Sequence, residues 1–172
     1  TRVLQDDQYR LEKNRIEIVN DKEFNPNALN PYLKQKHKGW SPFLYVYNWA
    51  NGKGKGWDKF VHKIGTAPIV YDPEMVDNTI ETIDNHLEYL GYFGSRTESE
   101  IKVNKRRVEV IYKVTLGDRI PIRDIEINLP ERGEFPSAFL KDTAAMTVRP
   151  GDFLSESSLE SETDRYASIL RN

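Results

Sequence analysis

The feature of this sequence that most restricts its fold is an apolar stripe with helical spacing between residues 73 and 91. Its members recur at steps of 4, 3, 4 and 3 residues, and they are Val76, Ile80, Ile83, Leu87 and Leu90. Asp72 can cap the helix, Pro73 suits its first position, and Gly91 stands where a C′ glycine would end it. The spacing predicts an amphipathic helix with one buried face.

A β-hairpin is predicted directly after this helix. Between residues 97 and 103, Ile101 and Val103 are expected to face inward, while Glu98, Glu100 and Lys102 face outward. Residues 107–114 alternate with the same period, and their apolar members are Val108, Val110, Tyr112 and Val114. Asn104-Lys105-Arg106 can make the turn between two strands of this kind.

Two further elements are predicted before the helix. Arg15-Ile16-Glu17-Ile18 alternates like a short strand with both isoleucines inward. Asn25-Pro26 then opens a helix whose apolar face is formed by Ala28, Leu29, Tyr32 and Leu33. With residues 1–13 as an N-terminal arm, residues 14–117 form a first module of strand, helix, insert, helix, strand, strand.

The same order begins again in residues 118–172. Asp124-Ile125-Glu126-Ile127 echoes the first strand, and Phe135-Pro136 opens a helix that carries Phe139. After the turn Arg149–Asp152, a second helix begins near Ser155 or Ser157, and its apolar face is formed by Leu159, Tyr166, Ile169 and Leu170. The second module lacks its last two strands. Its strand near Ile122–Leu129 is therefore expected to borrow a partner or to fray.

The composition argues against an enzyme and against a nucleic-acid-binding protein. Charged residues make up 30% of the chain but nearly cancel to −2, whereas nucleic-acid binders are normally basic. There is no cysteine, and His37, His62 and His86 do not have the spacing of metal ligands. We find no set of acid, base and nucleophile. No catalytic residue, cofactor or metal is therefore expected.

Residues 34–71 form an insert that interrupts the pattern. It contains all three tryptophans, and its aromatic run includes Trp40, Phe43, Tyr45, Tyr47 and Trp49. One interpretation is a satellite core that covers the first module. The other is a surface that contacts a partner or a membrane, since aromatic residues and lysines suit both.

Several local strings resemble POTRA domains of the outer-membrane assembly and translocation family that includes BamA and TamA. These strings are Leu87–Phe93, Val108–Gly117, Arg119–Ile127, Arg149–Phe153 and Ile169–Asn172. The insert resembles that of Bacteroidetes-type members, surface antigens that are often exported and can be lipid-anchored. The resemblance implies an α/β (α+β) fold of tandem modules, each with two helices on a three-stranded mixed sheet. It implies no catalytic residues.

In the family topology the second strand lies at an edge of the sheet, where a client strand could add. The residues implied are Ser95, Arg96, Thr97, Glu98, Ser99, Glu100, Ile101, Lys102 and Val103. The implied function is a periplasmic binding region of an outer-membrane protein assembly or translocation factor. Its expected partners are unfolded outer-membrane protein clients, a downstream β-barrel of the same chain and other assembly subunits. The alternative is a POTRA-like scaffold in a secretion or division complex that binds no client.

Overall fold

The computed structural model describes residues 4, 8–36, 68–129, 136, 139 and 143–171. By their internal contacts the residues form two compact units. The first comprises Thr1–Ile83 and Thr97–Thr115, and the second comprises Asp84–Arg96 and Leu116–Asn172. Among the described residues, no helix is both long enough and apolar enough to cross a bilayer.

A three-stranded mixed sheet forms the centre of the first unit, as the resemblance implied. Its strands are β1 (Arg10–Ile18), β2 (Arg96–Asn104) and β3 (Arg107–Thr115), in the order β1-β3-β2. Strand β1 runs parallel to β3. A two-residue turn joins β2 to β3, so these two strands form the predicted hairpin.

Strand β1 begins at Arg10, so the predicted arm of residues 1–13 is wrong over its last four residues. Leu11 is buried and pairs with Val108, whereas the next paired residue of β1 is Lys13, opposite Glu109. This bulge leaves one extra residue in β1 and interrupts the period of two. Alternation alone therefore could not extend the strand back past the bulge to Leu11.

The inward face of β3 and the helix α1 (Pro73–Tyr89) supply the core of the first unit. Val108, Val110, Tyr112 and Val114 are buried as predicted, and so are Val76 and Ile83 of α1. Between these two helix residues the buried position is Thr79, and the predicted Ile80 is only half-buried. The Thr79 hydroxyl donates to the Met75 carbonyl and accepts from the Lys34 amide. Because its polar atom is satisfied in this way, a threonine can occupy the core.

The segment after β1 is a 3₁₀ helix, Pro26–Tyr32, and the predicted shared face of four apolar residues is wrong. The Asn25 side chain caps it by accepting from the Asn27 amide, as its position suggested. Leu29 is fully buried, but Ala28 is exposed. A 3₁₀ helix has three residues per turn, and Pro31 has no amide hydrogen for an α-helical ladder. Residues spaced for an α-helix therefore do not share one face here.

In the second unit, α1 ends in the motif that Gly91 predicted. Gly91 has a φ of +89°, its amide donates to the Glu88 carbonyl, and the Tyr92 amide donates to the Leu87 carbonyl. This pair of bonds is the Schellman motif, in which a left-handed residue satisfies the last carbonyls of the helix. Leu87 is fully buried and Leu90 is half-buried.

Helix α2 (Glu156–Arg171) lies at the C-terminal end of the second unit. Of the two predicted starting residues, Ser155 is the cap, since its hydroxyl accepts from the Ser158 amide. The prediction that Leu159 belongs to the packed face is wrong, because 46% of it is exposed. The contact that anchors α2 lies about one turn later, at Glu162. There the Glu162 carboxylate accepts from the amide and hydroxyl of Thr147, at 2.8 and 2.7 Å.

The strand predicted near Ile122–Leu129 does not form in the described structure. The Ile122 amide donates to the Asp152 carbonyl, and the Leu154 amide donates to the Ile120 carbonyl. Residues 123–129 then have no assigned secondary structure, and Ile127 is 41% exposed. A strand requires a partner for its backbone groups, and the described residues of this unit supply none beyond Ile122.

Candidate binding edge

Strand β2 is one of the two edges of the sheet. It is hydrogen-bonded to β3 on one side, and no other described strand pairs with it. The edge residues implied by the sequence lie in β2 from Arg96 to Val103, and Ser95 directly precedes the strand. An edge of this kind leaves a row of amide and carbonyl groups open to another strand.

The hairpin geometry determines which backbone groups point outward. The turn residues are Lys105, with a φ of +57°, and Arg106, so Asn104 and Arg107 form the closing pair. In an antiparallel hairpin, alternate residues direct both backbone groups toward the partner strand. Counting back from Asn104, the backbone groups of Ser99 and Ile101 therefore face away from β3.

The side chains of β2 differ along the strand. Thr97 is buried, but Ile101 and Val103, which lie on the same side, are 45% and 58% exposed. These two residues were predicted to face inward. Neither is buried, so that prediction is wrong. Beyond Thr97, no described element covers this side of an edge strand. Two apolar side chains are left beside open backbone groups.

The other side of β2 carries charges that are largely paired. Glu100 lies between two cations, with the Lys113 ammonium at 2.7 Å and the Lys102 ammonium at 3.4 Å. Hydrogen bonds from Lys113 and then Lys102 hold the pKa of the Glu100 carboxyl below its usual value. The same contact raises the pKa of Lys113. Glu100 thus stays ionised, and charges on an edge oppose uncontrolled pairing.

Ser95 has a different structural position from the rest of the implied edge. Its hydroxyl donates to the Tyr92 carbonyl at 2.8 Å and accepts from the Gly117 amide at 2.9 Å. The hydroxyl is thus used within the turn that leads into β2. Ser95 therefore belongs to the turn that precedes β2 and not to the edge strand itself.

The opposite edge, along β1, is partly covered by a segment that the sequence analysis missed. The Leu11 amide donates to the Ile69 carbonyl at 2.8 Å, and the Tyr71 amide donates to the Tyr9 carbonyl at 2.7 Å. These bonds surround an antiparallel bridge between Arg10 and Val70. The signal was the β-branched pair Ile69-Val70 followed by Tyr71, a short run with high strand propensity.

The aromatic residues proposed to contact a partner or membrane lie outside the described residues. They are Trp40, Phe43, Tyr45, Tyr47 and Trp49.

Of the three histidines, His86 is described. It is half-buried and stacks on Tyr89, with ring centroids 6.2 Å apart, and burial lowers its pKa. Within the described ranges, no group of three or more histidine or acidic residues could hold a metal ion.

These observations define a small α/β module whose described residues leave one sheet edge, β2, without a second strand partner. A family model for POTRA, described as the surface antigen variable number repeat, matches residues 12–117. The chain therefore belongs to the POTRA family, and the resemblance found in its sequence is confirmed.

Two further comparisons complete these findings. The crystal structure of Haemophilus influenzae BamA POTRA3-5 is similar over 91% of this chain, with 14% identity and a TM-score of 0.45. The chain spans about half of that structure. A comparison with curated proteins finds no match.

Proposed function

We propose that this chain is the binding region of an outer-membrane protein assembly or translocation factor, on the periplasmic side of the membrane. POTRA domains are scaffolding and binding modules without enzymatic activity, and the chain belongs to that family. In this proposal, residues 14–117 and 118–172 are two successive modules. The ligands are unfolded β-barrel or secreted clients that add a strand to β2.

One observation supports strand addition at β2 most directly. The outward backbone groups of Ser99 and Ile101 lie beside the exposed side chains of Ile101 and Val103. An added strand would gain backbone hydrogen bonds from the first set and apolar contact from the second. Backbone pairing tolerates many sequences, which suits a factor that receives varied clients.

The polar side of the edge is also consistent with reversible binding. Glu98 and Lys102 are exposed there, and Glu100 is paired with lysines. Charges of this kind disfavour the stacking of identical edges on one another. The edge could then accept a client without joining a second copy of itself.

A proline substitution tests the proposal. Ser99→Pro removes an outward amide and leaves the bonds between β2 and β3 in place, because these use the alternate residues. A photoreactive group at position 101 should crosslink a short synthetic peptide of alternating valine and threonine. We expect Ser99→Pro to lower the yield roughly three- to tenfold, the range for one lost hydrogen bond.

Two controls make the result specific. Ser99→Ala removes the hydroxyl but keeps the amide, and it should crosslink like the unmodified protein. Glu98→Pro should instead disrupt the pairing of β2 with β3 and lower the thermal stability. Equal crosslinking by the Ser99→Pro and Ser99→Ala variants would show that clients bind elsewhere.

A further inference from the structure

The two edges of the sheet differ in how much of their backbone is already used. Strand β2 has an open outer side among the described residues, whereas the first residues of β1 are paired with another segment. Ile69–Tyr71 pairs with Tyr9–Leu11, and the 3₁₀ helix Pro26–Tyr32 packs beside the later part of β1. Without these neighbours, the edge strand β1 would present its outward amides to any extended chain.

A single residue, Gln35, connects the segment before α1 to strand β1. The Gln35 amide nitrogen donates to the Val70 carbonyl at 2.9 Å, and its amide oxygen accepts from the Asp72 amide at 3.2 Å. The Gln35 backbone carbonyl in turn accepts from the Asn14 side chain at 2.6 Å. Gln35 therefore holds the segment before α1 against β1 and is itself fastened to that strand.

We propose that Ile69–Tyr71, fastened by Gln35, is an edge guard that closes the start of β1 and directs strand addition to β2. The inference rests on the proposed function, since it says which of two edges a client strand can use. It also explains the polar contacts of Gln35. All three join Gln35 either to the covering segment or to β1.

The first test measures the guard itself in the 172-residue protein. Gln35→Ala should free Ile69–Tyr71, so that exchange of the Leu11 amide quickens about tenfold while that of the Val110 amide in β3 is unchanged. Asn30→Ala is the matched control, because the Asn30 side chain bonds only Asn27 among its described contacts. Unchanged exchange at Leu11 in Gln35→Ala would overturn the clamp assigned to Gln35.

The second test measures the choice of edge. A photoreactive group is placed at position 12 on β1, or at position 101 on β2, and the valine–threonine peptide is added. With Gln35 in place, the group at position 101 should crosslink the peptide, and the group at position 12 should crosslink it very little. In Gln35→Ala, crosslinking through position 12 should rise about tenfold, as expected when one or two backbone hydrogen bonds no longer protect that edge.

The two proposals fail in different ways. If Leu11 exchange quickens in Gln35→Ala but position 12 still does not crosslink, the guard does not direct clients, and binding at β2 stands. If position 101 never crosslinks in the unmodified protein, strand addition at β2 is wrong. Strong crosslinking through position 12 in the unmodified protein would show that β1 was never closed.

Discussion

The carbonyl oxygen of Phe93 occupies the place where a Cβ atom at Gly117 would stand. This close approach is fixed by two backbone hydrogen bonds that Phe93 exchanges with Asp118, at 3.0 and 3.1 Å. The Gly117 amide also donates to the Ser95 hydroxyl. The chain leaving β3 is therefore joined to the turn that enters β2, at a point where only glycine fits.

We expect Gly117→Ala to destabilise the protein by about 1–3 kcal/mol, the usual cost of forcing extra atoms into a packed site. Backbone must move, because the atoms that a Cβ would meet belong to Phe93 and Ser95. Denaturant unfolding measures the change. Gly94→Ala is less informative because Gly94 has a positive φ, so Asp124→Ala, on an exposed residue, serves as the control. Equal stability of both variants would contradict the close approach.

The helix α1 provides a second prediction. Ile83 is fully buried whereas Glu81 is exposed on the same helix. Ile83→Ala should cost about 2–5 kcal/mol, the range for truncating a buried aliphatic side chain. Glu81→Ala should change stability by less than about 0.5 kcal/mol, as surface substitutions usually do. Thermal unfolding of the two variants compares them directly, and indistinguishable midpoints would refute the assignment of the buried face.

The buried carboxylate of helix α2 predicts a dependence of stability on pH. The Arg165 guanidinium, 2.6 Å away, and then hydrogen bonds from Thr147 lower the pKa of Glu162 to about 2. A carboxyl group with a depressed pKa stabilises the fold fully above its unfolded pKa and loses that contribution as pH falls through the folded value. The contribution should therefore decline between about pH 5 and pH 2.

The contribution of Glu162 to the free energy of unfolding is on the order of 3 kcal/mol, because each pKa unit corresponds to about 1.4 kcal/mol and Glu162 is buried. The protection of the Thr147 amide, which donates to Glu162, reports it locally when the exchange rate is corrected for the intrinsic effect of pH on amide exchange. Glu162→Gln should expose this amide at neutral pH and remove much of its pH dependence, whereas Asp164→Asn, on an exposed residue of the same helix, should not. An unchanged pH profile in Glu162→Gln would contradict the prediction.

The segment after Ile122 provides a prediction about local stability. The Ile122 amide has a carbonyl acceptor, whereas residues 124–129 have no assigned hydrogen-bonded structure. We expect exchange in residues 124–129 to be faster than at Ile122 and Leu87 by at least about a hundredfold. Protection of Ile125 and Ile127 equal to that of Leu87, in a dilute monomer, would mean that the segment has found a strand partner.

The sequence by itself determined the elements whose periodicity is continuous. The stripe through Val76, Ile83 and Leu87 specified α1, and the glycine at position 91 specified its end. The alternation through Val108 and Val114 specified β3. For these residues burial follows from their spacing to neighbours on the same element, and that spacing is visible in the chain.

Tertiary structure decided the features that depend on partners distant in sequence. A bulge hid the start of β1 at Arg10, and the hydrogen bonds of Thr79 allowed a polar residue into the core. The side of β2 that carries buried Thr97 remained exposed at Ile101 and Val103, because no described element reaches these two residues. The closure of β1 depends on Gln35 and Val70, which are 35 residues apart. Sequence spacing carries no information about a contact of that kind, because it exists only when the fold brings the two segments together.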